Sequence, residues 1–178
     1  MNRITRTTSA AVVAASIASA AGVVGAQASS HAAANASGLD KEYLKTSIEG
    51  DRFEIEGGKL ALRISHNAKV LALGKRLIKD HTKSLSDALQ LAKAVGAERP
   101  SSPSPSEQWE LSILGAQTGP TFDRWYTKLE VKDHEQDIDD SKSELSDGFD
   151  SAVKSEARKE LPMLRTHLRL SRAAYNAS

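Results

Sequence analysis

The sequence predicts an all-α protein, an up-down-up-down four-helix bundle with a central crossover rich in proline and serine and one short extra helix. Apolar residues recur every three to four positions in each long segment, which is typical of amphipathic helices and not of strands. Three prolines within residues 98–106 interrupt this period and separate two pairs of helices. The 178 residues are 39% hydrophobic and include no cysteine, which excludes a disulfide scaffold and a wholly disordered chain.

Residues 1–28 have the features of a secretory signal peptide. Two arginines precede an apolar run at residues 10–24, and residues 26–28 read Ala-Gln-Ala, a small-residue cleavage pattern. Cleavage there leaves residues 29–37 as a flexible lead-in and residues 38–176 as one bundle domain. The mature chain contains no candidate transmembrane helix and no cysteine for a lipid anchor. We therefore expect a periplasmic or secreted product.

The bundle domain begins with two long helices. Ser37, followed three residues later by Asp40, predicts an N-terminal cap, and the first helix continues to about residue 65. Asn67 is placed to cap the second helix and Gly96 to end it. The buried face of the first helix is predicted to carry Leu44, Ile48, Ile55 and Leu62, and that of the second Val70, Leu73, Leu77, Leu85, Leu91 and Val95.

The second half of the domain contains a short helix and two more long ones. Ser106 is placed to cap the short helix, which includes Trp109, Leu111 and Leu114. Gly119-Pro120 opens the third long helix, Gly148 ends it, and the last long helix covers residues 149–175. Their buried faces are predicted to carry Phe122, Trp125, Tyr126, Leu129 and Val131, followed by Val153, Ala157, Leu161, Leu164 and Leu168.

Two sequence features interrupt these helices. Gly57 and Gly58 lie inside the first helix, where each glycine costs about 1 kcal/mol relative to alanine, so a close helix contact or a local distortion should offset them. Pro162 lies inside the last helix and removes one backbone hydrogen bond, which predicts a kink before His167.

Charge is distributed unevenly along a chain that is nearly neutral overall. The formal net charge is +1 and becomes −1 after signal-peptide removal, which excludes the basic excess of a dedicated nucleic-acid binder. Residues 130–150 hold nine acids and two lysines, whereas residues 151–178 hold six basic residues and two acids. Since these segments are adjacent antiparallel helices, we expect ion pairs between them.

Three histidines have the helical phase of buried residues. His81 and His134 each follow an apolar-Lys-Asp sequence and have apolar residues three before and four after, and His167 follows Leu164 at the same spacing. Counting about 1.5 Å per residue along each helix brings all three near the height of Glu54. Asp80 lies about 100° around the helix from His81, so Arg76 is its expected partner.

The residues of this cluster match the ligands of a metal site. Glu54, His81, His134 and His167 could hold one divalent cation, zinc, iron or copper, with Asp51, Glu56, Asp123 and Glu160 as further candidates. Neutral imidazoles are needed, so metal affinity should fall as pH drops through about 6 to 7. The alternative is structural: buried histidines that hydrogen-bond to acids across the bundle would fix the helix register without any metal.

An ordered set of motifs resembles a known family. The motifs are Glu-Ile-Glu-Gly-Gly-Lys-Leu-Ala at residues 54–61, Lys-Asp-His at 79–81, Gly-x-x-Phe-Asp-x-x-Tyr at 119–126, Asp-His-Glu at 133–135 and Leu-Pro-x-Leu-x-x-His at 161–167. Together they resemble an exported bacterial ferritin-like family described only as a domain of unknown function, DUF4142. The resemblance implies a ferritin-like bundle in the periplasm or outer membrane and no established activity. Ferritin-like di-iron sites use Glu-x-x-His, which this chain lacks, so the sequence disfavours a di-iron oxidase.

Three classes of function remain open from the sequence. We expect first a noncatalytic, stress-related module of the cell envelope that binds an unidentified protein partner, because the chain has neither a nucleophile triad nor a phosphate-binding loop. The second class is a metal-binding or storage protein. The third is a metal-dependent oxidoreductase, which needs an open coordination position. No catalytic residue can be named from the sequence.

Overall fold

The computed structural model describes residues 36–178, which form five helices and no strand. They are α1 (Gly38–Ile64), α2 (Ala68–Val95), α3 (Pro105–Gly115), α4 (Gly119–Asp147) and α5 (Ser151–Tyr175). The all-α bundle with one short extra helix is confirmed. The predicted signal peptide, residues 1–28, and nearly all of the predicted lead-in lie outside the described residues.

Local capping chemistry sets the helix ends largely where the sequence predicts them. Ser37 and Asp40 form a reciprocal capping box at the start of α1. Asn67 caps α2, which ends at Gly96 in the left-handed conformation with φ of 68°. The cap of α3 differs from the prediction: Ser104, not Ser106, accepts the backbone N–H of Glu107, because a proline at residue 105 favours the first helical position.

The direction of the later helices differs from the predicted up-down-up-down order. The backbone N–H groups of Phe149 and Asp150 donate to Asp40 at 2.9 and 3.0 Å, so the α4–α5 turn lies at the start of α1. At the opposite end, the Asn67 side chain donates to the Ala177 carbonyl at 2.9 Å. Helix α4 therefore runs antiparallel to α1 and parallel to α2, and the order is up-down-down-up.

The crossover makes this order possible because it travels the length of the bundle along α1. Arg52 Nε donates to the Pro100 carbonyl at 2.9 Å near the start of the crossover. Farther along, Leu111 and Leu114 of α3 are buried, and a β-carbon at Gly115 would lie 3.6 Å from Leu60 of α1. The chain thus returns to the end of the bundle where α1 finishes before α4 begins.

A pair of glycines brings α1 and α2 into close contact. A β-carbon at Gly58 would lie 2.8 Å from Cγ1 of Ile78 and 2.9 Å from the carbonyl oxygen of Gly74. Conversely, a β-carbon at Gly74 would lie 3.0 Å from the carbonyl oxygen of Gly58 and 3.1 Å from Cβ of Ala61. The predicted close approach at Gly58 is confirmed, since any larger side chain would push the two helices apart.

Apolar clusters close both ends of the bundle and leave a polar layer between them. One cluster centres on Leu44, Ile48 and Val153, and the other on Leu77, Phe122 and Tyr126. Two residues predicted to be buried are exposed, Leu62 by 39% and Trp125 by 54%. The buried stripe of α1 passes through Phe53, Glu54, Gly57, Gly58 and Ala61, which turns Leu62 toward solvent.

One ion pair of the predicted kind joins the acidic α4 to the basic α5 among the described residues: Arg172 contacts Glu135 at 2.7 Å. Another exposed residue of α5 pairs with α2 instead, where Lys159 contacts Asp87 at 2.7 Å. Such exposed pairs contribute about 0–1 kcal/mol each. Within residues 36–178, every helix is too short or too polar to cross a membrane.

Candidate metal centre

Three histidine rings meet in the polar layer. His81 of α2, His134 of α4 and His167 of α5 are buried, with at most 2% of their surface exposed. The ring centroids of His81 and His167 are 5.1 Å apart, those of His134 and His167 are 5.2 Å apart, and those of His81 and His134 are 5.7 Å apart. One nitrogen from each ring can be chosen so that all three lie within 4.8 Å of one another. We call these residues the histidine cluster.

Two of these rings are oriented by hydrogen bonds through Nδ1. His81 Nδ1 forms a hydrogen bond with Oδ1 of Asp51 on α1 at 2.8 Å. His134 Nδ1 donates to the backbone carbonyl of Glu130, one turn earlier on α4, also at 2.8 Å. A carbonyl can only accept, so the proton of the His134 ring is on Nδ1, and Nε2 of the same ring carries a free lone pair.

The third ring uses its other nitrogen. His167 Nε2 donates to Oδ2 of Asp80 at 2.9 Å. Asp80 also pairs with Arg76, as the spacing on α2 predicts, and its pKa is lowered because the hydrogen bonds from His167 and Arg76 outweigh partial burial. An ionised Asp80 therefore holds the His167 proton on Nε2. Among the described residues, no hydrogen bond reaches His81 Nε2, His134 Nε2 or His167 Nδ1.

All three rings are held neutral. Burial lowers the pKa of His81 and of His167 to about 4, against an ordinary value of 6.5. Burial, followed by the neighbouring rings, lowers the pKa of His134 well below its ordinary value. At neutral pH each ring consequently presents one lone pair, which is the protonation state that metal ligation requires.

Two buried carboxyl groups lie beside Nδ1 of the His134 ring. Glu54 Oε1 of α1 is 3.4 Å from His134 Nδ1, and Glu130 Oε2 of α4 is 3.9 Å from the same atom. Both side chains are at most 1% exposed, and no described group donates a hydrogen bond to their oxygens. Burial raises the pKa of Glu130 to about 8, and burial with repulsion from Glu130 raises that of Glu54 well above its ordinary value.

Gly57 makes room for this carboxyl pair. A β-carbon at Gly57 would lie 3.3 Å from Oε1 of Glu130 and 3.5 Å from the ring of Tyr126. The absence of a side chain therefore lets Glu130 and Tyr126 pack against α1 beside Glu54. The two adjacent glycines, whose helix cost the sequence predicts to be offset by a close contact or a distortion, thus have different neighbours: Gly58 faces α2, and Gly57 faces the centre.

The other candidate ligands have separate positions. Asp51 contacts the centre by orienting His81, as described above. Glu56 points outward and is exposed. Asp123 is buried eleven residues before His134 on the same helix, a separation of about 16 Å at 1.5 Å per residue. Neither Glu56 nor Asp123 is brought to the histidine cluster.

Glu160, the remaining candidate, is buried on α5 beside the centre. It accepts hydrogen bonds from Tyr43 Oη at 3.1 Å and from the Ser84 hydroxyl. Burial, followed by the charge of Asp51, raises the pKa of Glu160 to about 7. In the folded protein, Glu160 therefore keeps a proton that it releases near pH 4.5 in the unfolded chain. Its contribution to the free energy of unfolding is fully present below pH 4.5 and is lost as pH rises to 7.

We expect Glu160→Gln to remove this pH dependence. Relative to the wild type, the variant's free energy of unfolding should increase by about 2 kcal/mol between pH 5 and pH 7. Urea unfolding of both proteins at half-unit pH intervals measures the difference, and the contributions of the histidines cancel in it. A difference that stays constant over this range would contradict a raised Glu160 pKa.

Two contributors to the centre lie outside the site residues predicted from the sequence. Glu130 belongs to the acidic run of residues 130–150, and the sequence predicts Asp80 only as a partner of Arg76. The Glu-x-x-His pattern does not include Glu130, because Glu130 precedes His134 by four residues, a spacing that also places the two on one helix face. No sequence signal identifies the Asp80–His167 bond, which joins α2 to α5.

The fold and the polar layer define an all-α, ferritin-like four-helix bundle with a buried histidine and carboxylate centre. The family described as "Domain of unknown function (DUF4142)" matches residues 25–173, and the chain belongs to that family. A crystal structure of a DUF305 fragment from Deinococcus radiodurans is similar with a TM-score of 0.71 and 12% identity, covering 80% of this chain and 99% of that one. That likeness supports the fold alone. Comparison with curated proteins finds no match.

Proposed function

We propose that this protein binds one divalent transition-metal ion at His81, His134 and His167. The observation that carries the proposal is the state of the three rings: each is buried and neutral, each has one nitrogen without a partner, and each has its other nitrogen in a hydrogen bond with a fixed oxygen. Metal-binding histidines have this second hydrogen bond because it sets the tautomer and aims the lone pair. A structural histidine has no comparable need for an unpartnered nitrogen, whose burial costs free energy.

Imidazole ligands limit which metal ions this site can bind. Nitrogen donors suit zinc, iron and copper, whereas magnesium and calcium prefer oxygen. Three imidazoles leave a fourth coordination position, for which Glu54 was proposed from the sequence. Its carboxyl contacts the Nδ1 edge of His134, so we assign Glu54 and Glu130 the role of compensating the charge of an ion held by neutral rings.

Of the three classes left open by the sequence, metal binding is the one that these contacts favour. The noncatalytic interaction module and the metal-dependent oxidoreductase gain no comparable support from the described residues. We place the metal-binding function in the periplasm or outside the cell because residues 1–28 read as a signal peptide. An oxidising compartment suits a site built without thiolates.

Metal titration of matched variants tests the proposal. Wild-type protein stripped by chelator should bind one equivalent of zinc, copper or iron(II) in calorimetry, and His81→Ala with His134→Ala should abolish stoichiometric binding. His66→Ala is the control, because His66 is exposed at the turn between α1 and α2. A wild type that binds none of the three ions would refute the site, whatever the thermal stability of the double variant.

A further inference from the structure

A small cavity adjoins the histidine cluster on the side facing Tyr43. Its volume is about 30 Å³, and residues of α1, α2, α4 and α5 line it, including His81 itself. This space exceeds the roughly 10–15 Å³ that a cavity needs to hold one water molecule. The cavity is therefore large enough for one small ion or one water beside the ring of His81.

Carboxyl groups line this cavity from the outside to the ring. Asp140 and Asp137 of α4 lie at its partly exposed side, and Asp51 and Glu160 lie at its buried side. Asp51 connects the cavity to the cluster: Oδ1 is hydrogen-bonded to His81 Nδ1, while Oδ2 is buried and has no hydrogen-bond partner among the described residues. None of these four carboxyls pairs with a lysine or arginine in residues 36–178.

Gly50 keeps the space between α1 and α4 open at this height. A β-carbon there would have Oδ1 of Asp137 as its nearest neighbour, at 3.9 Å. Alanine would fit without a clash, whereas a branched side chain would extend toward Asp137 and into the cavity. The position differs in this respect from Gly58, where the neighbouring helix already fills the space.

We propose that this cavity is a transit site through which a divalent cation passes from solvent, between α1 and α4, to the histidine cluster. The inference rests on the proposed metal-binding function, because an ion can reach three buried rings only along a polar path. Carboxyl oxygens without a lysine or arginine partner can take the place of a cation's water ligands as the cation moves through this narrow space. Asp51 Oδ2 is the last oxygen on this path before His81.

Loading kinetics with Co²⁺ alone test the transit site. Nitrogen ligation of Co²⁺ gives visible absorption, so stopped-flow mixing with the metal-free full chain measures the rate of arrival at the cluster. We expect Asp137→Asn and Gly50→Val each to slow loading about tenfold while the final absorption and the stoichiometry stay unchanged. The control is Asp139→Asn on the same helix, since Asp139 is exposed and pairs with Lys142, and its loading rate should equal that of the wild type.

The outcomes separate the transit site from the metal site itself. Wild-type loading rates in both Asp137→Asn and Gly50→Val would overturn the transit site and leave the metal site intact. Loss of stoichiometry in Asp137→Asn would make Asp137 a ligand and also overturn its transit role. Absence of Co²⁺ binding by the wild type would overturn both inferences. The two variants act differently, one by removing a carboxyl oxygen and one by filling the space, so a folding defect in Gly50→Val does not decide the result.

Discussion

Replacing Gly58 by alanine is expected to lower the free energy of unfolding by about 2–3 kcal/mol. The new methyl group would lie 2.8 Å from Ile78 and 2.9 Å from the backbone oxygen of Gly74, and a backbone oxygen cannot move aside as a flexible side chain can. Helices α1 and α2 must separate, which costs packing along their contact. Urea unfolding followed by far-ultraviolet circular dichroism measures the loss.

Gly50→Ala is the matched control in the same helix. Its methyl group would have only Asp137 within 4 Å, at an ordinary contact distance. Alanine also has the higher helix propensity, so this variant should keep or increase stability, by up to about 1 kcal/mol. Equal destabilisation by the two substitutions would show that close contact between α1 and α2 is not the cause.

Replacing Glu54 by glutamine should stabilise the metal-free protein and weaken its affinity for metal. Glu54 is buried without a hydrogen-bond donor among the described residues and faces a second carboxyl, Glu130. An amide carries no charge and can donate to Glu130, so we expect a gain of about 2 kcal/mol in the free energy of unfolding at pH 8 with chelator present. The same change removes the negative charge that Glu54 can take on beside His134 when a cation is bound, so zinc should bind at least tenfold more weakly.

Glu56→Gln controls for the loss of one acidic charge from α1. Glu56 is exposed two residues away, so its replacement should change stability by less than about 0.5 kcal/mol and leave metal affinity unchanged. Calorimetry with zinc and urea unfolding in chelator measure both quantities. If Glu54→Gln destabilised the metal-free protein, the Glu54 carboxyl would have a stabilising hydrogen-bond partner in the native state. Its assigned role in compensating the charge of a bound metal ion would then be contradicted.

The histidine cluster could be predicted although the directions of two helices, α4 and α5, were wrong. His81 lies near the middle of α2 and His134 near the middle of α4. Reversing a helix about its midpoint leaves the height of a central residue unchanged. Helical phase therefore sufficed to bring His81 and His134 together, whereas the height of His167, four residues past the middle of α5, depended on the direction of that helix.

The partners of the cluster could not be predicted in the same way. Asp51 reaches His81 from α1, and Asp80 reaches His167 from α2, so both bonds depend on how two helices are rotated against each other. The spacing of apolar residues in the sequence identifies the buried face of one helix. It carries no information on how the neighbouring helix is rotated about its own axis. Glu130 is the exception, because its spacing of four from His134 lies within one helix.

Local interactions within a few residues determined the helices themselves. Ser37 with Asp40, Asn67, and Gly96 set helix ends through bonds to backbone groups at most four residues away, so the sequence alone predicts them. The tertiary structure decided the up-down-down-up order, the exposure of Trp125 and the pairing of Glu54 with Glu130. These features depend on contacts between distant segments, and their free energy arises only when the helices pack together.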